Sequence, residues 1–463
     1  MNEDLNLVTK ALEFAKIAHA GQKRLNGEDF INHPIRVKNL LEEIGINDEK
    51  TLASAILHAT MKVAGISKEE ISKEFGEEIA FLLETLDNAS DIILEKNETQ
   101  SHSLHKLIIQ MSKDIRVLLI RLADRVDNIN TAHVLPTPDQ KWIAQKAFEV
   151  YAPIAKAVGV YTFTRQLENQ ALKILEPQRY KRINDFLNNK FKNAEKHLNK
   201  ASSEIEAFLK KEKLKYEISY RKKSIYSVHK KSAYGFDKGD FSSSENFDEL
   251  KDLLGIMIKV ENSKTCYEIL AYIQQKWPII QDEFDDYIAK PKQNGYKSLQ
   301  VAIEIEPKLY CEIQMKTFEM HTYNEFGPAS HLGYKYGGNK SGFTSAEWIK
   351  ELIDQKDEIN TTTGKGTRIK LFENEIFVFT PKGKLITLPA KSTPVDFAYS
   401  IHTNIGNWCC GTKVNGKLVP LDTILKSGDT VEILTKRSHK PSPNWLDFVV
   451  THEAKRNIRK NLA

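Results

Sequence analysis

Apolar residues recur every three to four positions through the first 175 residues. Leu5, Val8, Leu12 and Ala15 are followed by Ile71, Phe75, Ile79 and Leu83, then by Val117, Ile120 and Ala123. That period gathers them on one stripe of a helix. Short polar breaks (NGED, GIND, LPTPD) separate the segments, so the spacing predicts an all-helical domain over 1–180. Residues 181–215 keep the period, with Phe186, Leu187, Phe191, Leu198, Ile205, Phe208 and Leu209 on one side and lysines on the other. This reads as a helical connector. From 216 the pattern changes. YEISY, GIMIKV, SLQVAIEI and KLYCEIQM are strand-like, and SKTCYEILAYIQQKW between them is helical. They predict a mixed α/β domain over 216–337. A polar stretch with one helix, 338–373, reads as a linker. In 374–437, EIFVFTPKGKLITLP predicts a hairpin, DFAYSIHTNIG a short helix and DTVEILT a closing strand, together a small β-grasp-type module. Residues 438–463 read as the start of a further helical region. The expected fold class is multidomain α and α/β.

Composition narrows the function without naming it. A chain of 463 residues is too long for one core, and 41% hydrophobic with 28% charged residues is ordinary for a globular protein. A net charge of +5 suits an anionic ligand or a transient RNA contact and demands neither. Cys266, Cys311, Cys409 and Cys410 make no C-x-x-C pair, and adjacent Cys409 and Cys410 are a poor disulfide or zinc frame. A reducing cytoplasm is the expected compartment. The N-terminus is amphipathic and acid-bearing, with no h-region, and no run approaches the length of a membrane span.

Candidate chemistry falls in two places. In the helical half, INHPIRV places His33 before a proline, ILHATMKV places His58 on a helix, and IRLADRVDN places Asp124 on another. Two imidazoles and a carboxylate could hold a Mn²⁺-like ion that activates water. In the α/β half, SYRKKSIYSVHKK sets Arg221, Lys223, Tyr226 and Lys231 at the start of a helix. Cations and open backbone N–H groups there suit phosphates, although such a run alone is usually a solvated face. Asp252 stands just before an apolar strand, where a carboxylate can bind Mg²⁺. In KLYCEIQMKT, alternation puts Leu309, Cys311 and Ile313 on one face and Tyr310, Glu312 and Gln314 on the other. The polar face is either the floor of an open site or a solvent-facing edge. EFDDYIAKPKQNGYKSLQ adds Glu283, Asp285 and Asp286, then Lys292, Asn294, Gly295 and Tyr296: acid, base, glycine and aromatic within one stretch.

The motifs RxKSIYS, DLLGI, DDYIAxPKxNGYxSL, EIQMKT, MH (320–321) and FGxAxHxxYK (326–335) resemble the synthetase domain of the RelA/SpoT-homologue family. The spacing of His33, His58 and Asp124, with Arg24 and Asn128, resembles that family's HD-type hydrolase domain. TPKGxxxxLPxxxTPVDFAYxIHTxIG resembles its TGS domain, so the likeness covers nearly the whole chain. It implies pyrophosphokinase chemistry: the β,γ-diphosphate of ATP passes to the ribose 3′-OH of GTP or GDP, giving (p)ppGpp and AMP. By position, Arg221, Lys223 and Lys231 would cradle the ATP phosphates. Asp252 would hold Mg²⁺, and Glu312 would help bind it or take the proton from the attacking hydroxyl. Lys292, Asn294, Tyr296, Gln300 and Gln314 would bind GTP or GDP, with Tyr296 stacking on guanine. The acidic ExDD version (Glu283, Asp285, Asp286) resembles synthetase-only, magnesium-dependent members.

Departures from the family pattern carry expectations of their own. Ala59 replaces the metal-binding Asp after His58, and Lys62 and Val63 replace the Glu-Asp pair of the water site, which implies an inactive hydrolase. Met257, Gln300 and Lys316 stand where the family commonly has Arg, His and Arg, leaving room for an altered nucleotide preference or a slow enzyme. His402 is either a helix cap or a contact to deacylated tRNA on the ribosome. Two further readings stay open: a non-catalytic nucleotide sensor, and a (p)ppGpp hydrolase with an atypical metal site.

Overall fold

A computed structural model describes residues 6–91, 114–234, 250–292, 295–326, 375–381 and 385–462. The expected helices form from Leu7–Ala18 to Tyr161–Leu175. Local chemistry sets their ends: Asn6 accepts the Val8 N–H, Ser67 and Glu70 make a reciprocal capping box, and Gly65 closes Thr60–Ala64 with φ 73°. Ala15, Ile71, Ile79, Leu83, Val117, Ile120 and Ala123 are buried, as their period requires. Among the described residues no helix is long and apolar enough to cross a membrane.

The segment expected as a connector is different. Pro177–Lys211 is one helix of 35 residues, about 50 Å long at the α-helical rise. Its Ile183, Leu187, Leu198, Ile205 and Leu209 share one core with Ile256, Ile258, Val301, Ile313 and Met315 of the sheet that follows. An apolar stripe of that length needs a partner surface, and the sheet is the partner.

That sheet comprises β1 (Tyr216–Lys222), β2 (Leu254–Val260), β3 (Ile279–Asp286), β4 (Leu299–Glu306) and β5 (Leu309–Thr317), in the order β1-β2-β5-β4-β3. β2 and β5 are parallel, and the other neighbours are antiparallel. One face is buried under the long helix and Ser263–Lys276. The other carries the polar side chains. Paired residues share a face, so the registers align Ser219, Met257, Gln314, Gln300 and Asp285 in one row and Arg221, Gly255 and Glu312 in the next.

Residues 375–462 build their own core. β6 (Glu375–Phe379) and β7 (Leu385–Pro389) form the expected hairpin, and β8 (Cys409–Val414), β9 (Lys417–Val419) and β10 (Val431–Thr435) form a second sheet. Two short helices, Pro394–Ile401 and Thr403–Asn407, replace the single one expected. His402 lies between them, its Nδ1 accepting the Asn404 N–H at 3.1 Å. Buried Asp396 accepts N–H bonds from Thr393, Val450 and Thr451. The helix His452–Leu462 then packs Ala454 and Ile458 against Tyr399, Cys409 and Trp445. Residues 452–462 are thus helical, and they pack onto this module. The expected linker and the motif residues 327–335 lie outside the described residues.

Candidate active site

At the mouth of β2, Asp252 Oδ2 accepts from both Lys223 and Lys231, the latter at 2.6 Å. Lys223 follows β1 directly and Lys231 rides on the helix Ile225–Tyr234, so a strand end and a helix converge on one carboxylate. Burial opposes the ionised acid, but the two ammonium groups outweigh it and hold the Asp252 pKa below its ordinary value. Its Oδ1 is buried without a hydrogen-bond partner among the described residues. A carboxylate with one unsatisfied oxygen, beside cations that phosphate can draw away, fits a hard divalent cation.

Two backbone N–H groups in the first turn of this helix are already engaged. Ser224 Oγ accepts the Ser227 N–H, and Asn169 Oδ1 accepts the Tyr226 N–H at 2.9 Å. Tyr226 turns inward, 4% exposed, against Phe148. A phosphate at this helix end would have the side chains of Arg221, Lys223 and Lys231 to meet it.

Along the sheet, Gln314 Nε2 donates to Glu312 Oε2 at 2.7 Å. Gln314, expected on an open face, is only 3% exposed and holds Glu312 from the same strand. Gln300 Nε2 donates to the Tyr296 hydroxyl at 2.6 Å, fixing the ring that was expected to stack on a base. Lys292 Nζ lies 5.4 Å from the Tyr296 ring centroid and 4.2 Å from that of Tyr287, within cation–π range. Tyr287, edge-on to Tyr296 at 6.0 Å, was not singled out from sequence, although DDYIAKPK spells it. Gly295 has φ 76°, and a Cβ there would meet the Tyr323 hydroxyl at 2.6 Å. Packing and backbone conformation thus require this glycine, whatever approaches it. Asn294 lies outside the described residues.

The acidic triplet divides. Asp286 accepts the Ile288 and Ala289 N–H groups and the Tyr267 hydroxyl, so it shapes the turn after β3. Glu283 and Asp285 remain exposed, with Asp285 beside Gln300.

Lys316 is buried on the same face, and burial, helped by the Arg221 charge, pushes its pKa down to about 8. Between pH 8 and 10.5 the unfolded chain keeps a proton that the folded chain has lost. Unfolding free energy should therefore rise with pH across that window and level off on either side of it. Relative to Lys316→Met, urea unfolding should show a rise on the order of 3 kcal/mol. A flat difference would place Lys316 in contact with solvent.

In the helical half, His33, His58 and Asp124 each bring a ligand atom within 4.8 Å of the others. His58 Nδ1 contacts the Ala55 carbonyl at 2.7 Å, so Nδ1 carries the ring proton. His33 lies between two carboxylates, 3.3 Å from Asp124 Oδ1 and 2.7 Å from Asp127 Oδ2. Burial lowers its pKa, but the carboxylates outweigh that and raise it. Asp127, which also receives Arg24 and Arg36, was missed. Its signal was present, because an acid three residues after Asp124 on a helix faces the same way. Ala59 is buried and offers no donor, while Lys62 and Val63 are exposed at the end of Thr60–Ala64. The two imidazoles and one carboxylate suit a transition metal.

Comparison with known proteins accounts for all three regions. Residues 11–161 match the model of the HD domain, 220–339 that of the region found in RelA/SpoT proteins, and 376–435 that of the TGS domain. The chain is 38% identical to a guanosine-3′,5′-bis(diphosphate) 3′-pyrophosphohydrolase of Aquifex aeolicus and 36% identical to a GTP pyrophosphokinase of Myxococcus xanthus. Each match covers 98% of this chain and 64% and 60%, respectively, of the relative, so the chain spans less than two thirds of their length. A solved structure, small alarmone synthetase 2 of Bacillus subtilis, aligns at 18% identity and a TM-score of 0.26, over 38% of this chain and 94% of its own. The chain thus carries an HD domain, the region found in RelA/SpoT proteins and a TGS domain, in that order, and is similar over 98% of its length to relatives named for hydrolysis and for synthesis.

Proposed function

We propose that the polar sheet face is a pyrophosphokinase site that moves the β,γ-diphosphate of ATP to the 3′-OH of GTP or GDP. The observation that carries this is the convergence of Lys223, Lys231, Asp252 and Glu312 beside a ring, Tyr296, held by Gln300. Arg221, Lys223 and Lys231 neutralise the donor's phosphates, and Tyr296 supplies a stacking face worth about 1–3 kcal/mol. Glu312 accepts the proton of the 3′-hydroxyl as its oxygen bonds to the β-phosphorus and AMP leaves. A Mg²⁺ ion at Asp252 would supply charge neutralisation on the transferred group. Reaction at phosphorus asks mainly for alignment and cationic stabilisation, which these side chains offer. Domain limits of 1–180, 216–337 and 374–437 belong to the same reading, as do a cytoplasmic setting and a TGS contact to tRNA on the ribosome.

The full chain, incubated with labelled ATP, GDP and Mg²⁺, should yield a labelled 3′-diphosphate product. Nucleotide binding without product would leave a sensor instead. A second reading, 3′-pyrophosphohydrolase, is favoured by the cluster of His33, His58 and Asp124. The substitutions at Ala59, Lys62 and Val63 weigh against it, and release of diphosphate from ppGpp with Mn²⁺ would establish it.

A further inference from the structure

One helix outside the sheet contacts an element beside each of the two candidate subsites. Tyr161–Leu175 presents Thr162, Arg165 and Asn169 at successive turns. Asn169 Oδ1 accepts the Tyr226 N–H, capping from outside the helix that carries Lys231. Phe148 supports the same helix through an edge contact on Tyr226 at 5.4 Å. Arg165 pairs with Glu325, whose Oε2 also accepts from Thr162 at 3.1 Å. Glu325 belongs to the helix Phe318–Phe326. Two residues of that helix hold the acceptor segment: Asn324 accepts the Lys297 N–H at 3.0 Å and donates to the Lys297 carbonyl at 2.6 Å, and Tyr323 packs on Gly295. Tyr296 lies between those two points.

We propose that Asn169 and Arg165 are positioning residues of the synthetase pocket, Asn169 acting on the donor subsite and Arg165 on the acceptor subsite. The helix bearing them thereby sets the separation of the two nucleotides, although it lies before the synthetase region, between the end of the HD match at 161 and residue 220. This rests on the pyrophosphokinase reading of the sheet face. Two routes leave one helix and end on different subsites: Asn169 by a hydrogen bond to Tyr226 and then along that helix to Lys231, and Arg165 by an ion pair to Glu325 and then from adjacent Asn324 by hydrogen bonds to Lys297, the neighbour of Tyr296. Transfer between nucleotides depends steeply on their alignment, so a helix that fixes both walls fixes the geometry of the reaction. A ligand or partner that displaces this helix would disturb both subsites together.

The full chain and its variants are titrated with α,β-methylene-ATP as the donor probe and a fluorescent GDP as the acceptor probe. Asn169→Leu should weaken the donor probe about fivefold and leave the acceptor probe unchanged, and Arg165→Met should do the reverse. Asn169→Asp, which still accepts a hydrogen bond, and Arg165→Lys should restore most of each loss. Amide exchange should quicken at the start of Ile225–Tyr234 in Asn169→Leu and at 295–298 in Arg165→Met. Equal shifts of both probes in either variant, or no shift in both, would overturn the proposal. Failure of the wild-type chain to bind either probe would instead overturn the nucleotide reading of the pocket, and this inference with it.

Discussion

Glu312→Gln is expected to cut formation of the 3′-diphosphate product by about 10²–10⁴-fold, the usual worth of a positioned proton acceptor. Binding of either nucleotide alone should be nearly unchanged. The substitution keeps the shape of the side chain, and its carbonyl oxygen can still accept the Gln314 amide that now meets Glu312 Oε2 at 2.7 Å. Little else should move, because β5 is flanked by β2 and β4 and the neighbouring Ile313 and Cys311 stay in the core. The loss would therefore fall on the chemical step and not on folding or affinity. Single-turnover assays with both nucleotides saturating separate these effects. A variant turning over at the wild-type rate would remove Glu312 from the reaction path and leave the sheet face without a base.

Much of this architecture was legible because period and alternation are local. The helical half, four of the five strands of the central sheet and the β6–β7 hairpin follow from residues that repeat at three to four or at two. What escaped depends on partners distant in sequence. The stripe on Pro177–Lys211 looked like a bridge because the sheet it covers comes later in the chain. β3 was concealed because EFDD is acidic, and an edge strand tolerates what a central one does not. Gln314 alternates onto the polar face as expected and Lys316 follows it, yet both are buried, because alternation assigns a face and not its depth. The candidate site divides in the same way. Arg221, Lys223, Lys231, Asp252 and Glu312 were readable from motif and register, whereas Asn169 meets Tyr226 across 57 positions and Arg165 meets Glu325 across 160. No local pattern announces such pairs.

Asp252→Asn should lower synthesis by at least about 100-fold, since it removes the charge best placed to hold a divalent cation. The same change should tighten cation-free binding of the donor. In the present arrangement Asp252 engages both Lys223 and Lys231. Losing the carboxylate releases two ammonium groups to the phosphates, and in EDTA the affinity for α,β-methylene-ATP should rise about tenfold. Stability should move the other way. The Lys223 and Asp252 side chains are 15% and 14% exposed, so the variant leaves a largely buried ammonium with weaker compensation, at a cost on the order of 2 kcal/mol near neutral pH. Because the folded-state pKa of Asp252 is depressed, the pair's contribution is complete above the ordinary carboxylate value and is lost as pH falls through the lower folded one. The stability gap between wild type and variant should therefore close on acidification. Donor binding that weakens in EDTA would mean that the two lysines do not reach the phosphates, and that Asp252 holds them for the fold alone.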